Sequence, residues 1–155
     1  MKFVCPLIVV DDIARSRKFY EEVLRQEVEY DFGENVQFKG AHAIHLKEHY
    51  RTLLGGNDHE IAHKANNMEL YFETDDVTGD YDRLKAANVD FVHELNEQPW
   101  GQRVVRFYDP DGHIVEIGET MQAVVLRFHQ EGDSVEEICA KSCMPKEFVE
   151  MVIKG

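Results

Sequence analysis

The chain has 155 residues, 43% hydrophobic and 10% aromatic, which excludes disorder by composition and fits one domain with a packed core. Its formal net charge of −13 argues against a nucleic-acid or anionic-membrane partner, because phosphate binding needs clustered Lys and Arg. No apolar run is long enough to span a bilayer and no basic leader precedes one, so the expected location is the cytoplasm, with the 3 cysteines as free thiols.

Lys2 to Val10 reads as one continuous apolar strand and Arg15 to Arg25 as a helix. Val28 to Phe32, Val36 to Phe38 and Ala43 to Lys47 read as strands, with Gly33 and Gly40 at turns. Residues 49–67, polar and rich in Gly, Asn and His, form a linker. The opening pattern then returns. CPLIVVDDIARSRKFYEEVL at 5–24 matches ELYFETDDVTGDYDRLKAAN at 69–88, and placing Asp12 on Asp76 sets Ile13 on Val77, Tyr20 on Leu84 and Val23 on Ala87. Three short apolar segments follow each helix. The expected fold class is α+β, with two tandem βαβββ modules (1–48 and 68–119) forming a curved mixed sheet around a groove.

The second module's last hairpin is signalled by Asp109-Pro110-Asp111-Gly112, with turn formers at the positions a type I turn prefers. Residues 120–155 turn helical. MQAVVLRFHQ is amphipathic, Ser134 and Glu137 have capping-box spacing, and Pro145 suits the first turn of a last helix. Two short helices here loosely suggest a helix-turn-helix, but Lys146 is followed by Glu147 and Glu150, against DNA contact. The tail is expected to pack on the domain or cover a dimer contact. The apolar face of Val124, Val125, Leu126 and Phe128 points to a homodimer. Cys139 and Cys143 share one helical face.

Strand alternation selects candidate site residues. In ELYFETD, Met68, Leu70 and Phe72 share one face, which leaves Glu69, Tyr71 and Glu73 on the other. In HIVEIGE, Glu116 opposes Val115 and Ile117, and in AIHLK, His45 opposes Ile44 and Leu46. The repeat makes Cys5 the equivalent of Glu69, and His45 that of Glu116. Four residues from equivalent strands are therefore expected to meet across the groove, all competent ligands for a borderline divalent metal. The plainer account of each is a solvent-facing carboxylate or a small buried thiol.

VVDDIARSRKFYEEVL, LYFETDDV and DPDGHIVEIGE together resemble the vicinal oxygen chelate superfamily of glyoxalases, bleomycin-resistance proteins, fosfomycin-resistance enzymes and ring-cleaving dioxygenases. The resemblance covers residues 1–119. It implies a divalent ion (zinc, nickel or manganese) held by His45, Glu69 and Glu116 with Cys5, and Glu69 or Glu116 as the catalytic base in lyase or isomerase chemistry on a chelated carbonyl or hydroxycarbonyl substrate. Cys5 departs from the His or Gln expected there, and Glu69 from the more usual His. A single His disfavours the dioxygenase and fosfomycin-type reactions.

The alternative from the same family is metal-free small-molecule binding, with Tyr71 and Trp100 stacking on the ligand, Arg103 pairing with an acidic group and Gly101 allowing close approach. One further motif, His59-Glu60-Ile61-Ala62-His63, spells the zinc-protease signature. It falls in the linker, where a helix has room for about two turns and no third ligand stands nearby. The protease reading is set aside.

Overall fold

The computed structural model describes residues 1–56 and 59–155, so the middle of the expected linker, Asn57 and Asp58, lies outside the described residues. The chain divides into two compact units, residues 1–69 with 108–114 and residues 70–107 with 115–155.

In the first unit, β1 (Leu7–Val10) leads into α1 (Ile13–Lys18), which continues as one π-helical turn, Phe19–Val23. Asp12 caps α1, its carboxylate accepting from the Arg15 N–H at 3.0 Å. There follow β2 (Val28–Asp31), β3 (Asn35–Phe38) and β4 (Ala43–Leu46). The sheet order is β1-β4-β3-β2, with β1 parallel to β4 and both other pairs antiparallel. Ile8, Val10, Tyr20, Leu24, Val36, Phe38, Ala43 and Ile44 make the core.

Two expectations change here. The first strand begins at Leu7 rather than Lys2. Pro6 has no N–H for a ladder, and Phe3 and Val4, with nothing covering them, stand exposed. The linker opens with a helix, α2 (Lys47–Leu53), that follows β4 directly. Its residues KEHYRTL are mostly good helix formers, and Gly55-Gly56 ends it, the Gly56 N–H donating to the Arg51 carbonyl at 3.1 Å. The segment His59–His63 is not helical, which removes the one-face geometry a zinc protease needs.

The second sheet repeats the first. Strands β5 (Glu69–Thr74), β6 (Asp90–Glu97), β7 (Arg103–Tyr108) and β8 (Ile114–Glu119) lie in the order β5-β8-β7-β6, with α3 (Val77–Ala86) after β5. Asp76 caps α3 through the Gly79 N–H at 2.9 Å, as Asp12 caps α1. The second aspartate of each Asp-Asp pair is therefore a helix start signal, which accounts for the most visible part of the repeat.

The tail forms α4 (Met121–Glu131), α5 (Val135–Ser142) and α6 (Lys146–Lys154). Ser134 and Glu137 make the expected capping box, and Pro145 precedes α6. Val124, Val125 and Phe128 of α4 bury against Ile138 and Val149 of the following helices, while Leu126 stays exposed. The face read as a dimer contact is thus covered by the chain's own helices. All 3 cysteines are free thiols, and no helix among the described residues is long and apolar enough to cross a membrane.

Candidate functional site

The turn Asp109–Gly112 organises the first unit's polar interior. The Gly112 N–H closes it on the Asp109 carbonyl at 3.0 Å, and Gly112 takes φ 82°, which needs a residue without Cβ strain. Inside the turn, the Asp109 carboxylate accepts from the Asp111 and His113 N–H groups at 2.9 and 2.8 Å. His113 Nδ1 lies 3.0 Å from both its oxygens, and the Tyr20 hydroxyl donates to it at 2.8 Å. Burial works against the Asp109 charge, but His113 and Tyr20 outweigh it and lower its pKa. Burial likewise opposes charge on His113, and the Asp109 bond and charge raise its pKa on balance. The His42 ring packs on Tyr20 and Phe38 with centroids 4.5 and 5.0 Å away, and burial depresses its pKa to about 4.

Asp11, His63 and Asp111 bring ligand atoms within 4.8 Å of one another. Cations already serve this cluster. Lys47 Nζ lies 2.9 Å from Asp11, Arg15 Nη2 lies 2.5 Å from Asp111, and the Ser16 hydroxyl donates to Asp111 at 2.6 Å. His63 Nδ1 sits 2.8 Å from the Asp111 carbonyl oxygen. As placed, Lys47 and Arg15 balance the two carboxylates and the cluster ties His63 to the turn, so a divalent ion here would take the place of two cations.

The sequence-derived ligands are placed as follows. Cys5 is half-buried in the segment before β1, and Glu69 is exposed at the start of β5, beside an open cavity of about 310 Å³ with Asn66, Asn67, Met68 and Ile114. His45 is 6% exposed on β4, directly opposite Asn35 of β3. Its Nδ1 is 3.1 Å from the Asn35 amide nitrogen, and its Nε2 is 2.9 Å from Nδ1 of His49 on α2. Burial first, then the neighbouring His49, lowers the His45 pKa, with Glu34 acting in the opposite sense. These three residues belong to the first unit. Glu116 belongs to the second, buried on β8 and ion-paired with Arg106 of β7.

Two of the three binding candidates, Trp100 and Tyr71, are joined within the second unit through a residue that strand alternation does not mark, whereas the Arg103 side chain does not reach it. Gln102 accepts from the Trp100 indole N–H at 3.0 Å and donates to the Tyr71 hydroxyl at 2.9 Å and the Glu119 carbonyl at 2.7 Å. Tyr71 in turn donates to Glu73 at 2.9 Å. Glu119 accepts from the Arg103 backbone N–H at 3.0 Å, and Arg127 pairs with Glu119 at 3.0 Å and Glu97 at 3.2 Å. The Arg103 side chain leans toward Glu97 at 3.7 Å, so it already has an acidic partner. Arg103, Arg127, Phe128 and Lys141 line a cavity of about 370 Å³ with Glu97 and Glu131.

Gly101 sits at φ +80°, and a Cβ there would fall 2.4 Å from the Phe128 ring. Gly101→Ala is expected to cost about 2–3 kcal/mol, combining left-handed backbone strain with displacement of Phe128 from the helical core. Urea unfolding followed by Trp100 fluorescence, the chain having 1 tryptophan, measures it. An unchanged midpoint would show that the loop and α4 are not coupled.

Residues 3–122 match the sequence profile of the family described as a glyoxalase-like domain. A solved protein of unknown function from Agrobacterium tumefaciens is 42% identical, with 77% of this chain and 94% of that chain covered and a TM-score of 0.70. Lactoylglutathione lyase from the same organism is 21% identical over 76% and 92% of the two chains, with a TM-score of 0.59, a likeness of fold. The uncharacterized Bacillus subtilis protein YraH is 27% identical over 128 residues, 76% of this chain and 97% of that one.

Proposed function

The chain belongs to the glyoxalase-like domain family, within the vicinal oxygen chelate superfamily, and from that premise we propose a metal-dependent enzyme of lyase or isomerase type acting on a small carbonyl or hydroxycarbonyl compound. The observation that carries this reading is Glu116. It is a buried carboxylate just beyond the Asp109–Gly112 turn, balanced by Arg106, whose side chain remains 31% exposed. A buried carboxylate needs a positive partner, and a guanidinium that is only partly buried is a partner that a divalent ion can replace. His45 and Glu69, with Cys5, are the other proposed ligands, and the donor set suits zinc, nickel or manganese in its chemistry. When bound, the ion supplies Lewis-acid polarisation of substrate oxygens. Glu69 or Glu116 takes the proton from the carbon beside the carbonyl, and the rings of Tyr71 and Trp100, both about half exposed, hold the substrate with Arg103.

A second reading, metal-free binding of a small molecule, is favoured by Arg106 itself, a resident cation already on Glu116, and by the Trp100–Gln102–Tyr71 string presenting two rings. The proposal includes a cytoplasmic location, for which the free thiols speak, and a homodimer. Support for the dimer comes from the exposed residues Met1, Phe3 and Val4 ahead of β1, an edge strand.

The test is hydrogen–deuterium exchange at carbon, read by NMR, over a panel of small carbonyl and hydroxycarbonyl compounds. Chelator-treated protein is assayed with and without zinc, nickel or manganese, and Glu116→Ala in parallel. Metal-dependent exchange that falls at least about 100-fold in Glu116→Ala is the expected result, in line with loss of a positioned base. Binding without exchange would leave the metal-free reading in its place.

A further inference from the structure

The loop between β6 and β7 presents Trp100. Its turn closes through the Gly101 N–H on the Gln98 carbonyl and the Gln98 N–H on the Gln102 carbonyl, both at 2.8 Å. One buried amide then fixes both candidate rings. The Trp100 indole only donates and the Glu119 carbonyl only accepts, so Gln102 must turn its oxygen to the first and its nitrogen to the second. The other N–H of that nitrogen reaches the Tyr71 hydroxyl. Gly118 makes room for the arrangement, because a Cβ there would stand 3.0 Å from the Gln102 nitrogen and 3.2 Å from the Tyr71 hydroxyl.

What grips the loop comes from outside the glyoxalase-like match, which ends at residue 122. Arg127 of α4 holds it at its entry, tip and exit. Nη1 pairs with Glu97 at the entry at 3.2 Å, and Nη2 donates to the Gly101 carbonyl at the tip at 2.5 Å. At the exit, Nη2 and Nε meet the Glu119 carboxylate at 3.0 and 3.4 Å, and that carboxylate accepts the Arg103 backbone N–H at 3.0 Å. The Arg127 and Glu119 side chains are only 15% and 7% exposed, so water does little to weaken these contacts. Phe128, the next residue, lies against Gly101. Such a span needs the planar, forked donors of a guanidinium, which a lysine ammonium does not offer.

We propose that Arg127 is a positioning residue for ligand binding: it sets the loop that carries Trp100 and Gln102, and so makes the C-terminal helices part of the small-molecule site. A loop already held in its binding shape loses less freedom when a ligand arrives, and that difference appears as affinity. The inference rests on the proposed placement of the ligand against Trp100 and Tyr71. It uses neither the metal nor the base, so it stands or falls apart from the proposed chemistry.

Saturation-transfer NMR over the panel of small carbonyl and hydroxycarbonyl compounds measures binding. Hydrogen exchange of the indole N–H, the chain having 1 tryptophan, reports the Trp100–Gln102 bond. In Arg127→Gln, binding is expected to weaken at least about tenfold and indole exchange to quicken at least about tenfold, with any kcat for exchange at carbon within about threefold. Arg127→Lys keeps the charge without the fork and should follow Arg127→Gln, and circular dichroism checks that each variant is folded. Ile138→Val loosens the helical core away from the loop and serves as the control, with both readouts within about twofold of wild type. Wild-type binding without exchange at carbon, lost in Arg127→Gln, supports the inference while removing the proposed chemistry. Faster indole exchange with unchanged binding overturns it, since the contacts would then be structural alone. Weaker binding with unchanged indole exchange overturns it as well, and makes Arg127 a ligand contact. Equal losses in Ile138→Val, or a wild type that binds no compound of the panel, also overturn it.

Discussion

Tyr20→Ala is expected to lose about 3–5 kcal/mol, the range for removing a large buried aromatic, and so a large share of the roughly 5–15 kcal/mol that holds a domain together. Tyr20 is fully buried and touches three rings. Phe19 lies edge-on at 5.4 Å, Phe38 at 5.2 Å and His42 at 4.5 Å between centroids. Its hydroxyl also serves the equally buried Asp109. The alanine variant therefore opens a cavity and strips a donor from a carboxylate that water does not reach. Tyr20→Phe separates these effects, because it keeps the ring and removes only the donor, for an expected loss of about 1–3 kcal/mol. Chemical denaturation of both variants measures the two values. Equal losses would mean that the bond to Asp109, rather than the packing, fixes the π-helical turn and the helix before it.

The same residue shows what sequence reading reaches. Tyr20 aligned with Leu84 in the repeat, and both are fully buried, each on its own module's helix. Apolar spacing and the two capping aspartates are local signals, so both modules were legible and the two sheets came out in matching orders. Helix α2 was not legible, because KEHYRTL carries no apolar stripe and reads as polar linker. The start of β1 was missed because Phe3 and Val4 are apolar by type, yet this chain covers neither.

At the candidate site the division is similar. Alternation singled out His45 and Glu116 as the polar breaks in two apolar strands, and both are buried. Their partners lay out of reach. His49 sits on the unread helix, and pairing Arg106 with Glu116 needs the register of β7 against β8, which alternation within one strand does not give. Gln102 was invisible for another reason. Nothing marks one glutamine in EQPWGQR as the hub for Trp100, Tyr71 and Glu119 until the chain folds.

His42 should make the protein acid-labile well above the pH at which carboxylates titrate. Burial among Tyr20 and Phe38 opposes the charged ring and, with His113 adding to the effect, brings its pKa from 6.5 to about 4, despite the pull of Asp109 the other way. In the unfolded chain the ring takes its proton near pH 6.5. Between these values the unfolded state binds more protons, so stability rises with pH across the window and is lost as pH falls from about 6.5 to about 4. A shift of that size corresponds to about 3 kcal/mol. His113 acts in the opposite sense. Its raised pKa gives stability that is complete below 6.5 and is lost as pH climbs through the folded value. Asp109, with its lowered pKa, contributes above 3.8 and loses its share only below that. The three groups together place the stability maximum near pH 6.5, falling on both sides. His42→Phe fills the same aromatic slot without a titrating group and should flatten the acid limb, while His113→Gln should flatten the alkaline one. Urea midpoints at pH 4.5, 6.5 and 8.5 for the wild type and both variants decide the matter. An acid limb that survives unchanged in His42→Phe would assign the lability to the carboxylates instead.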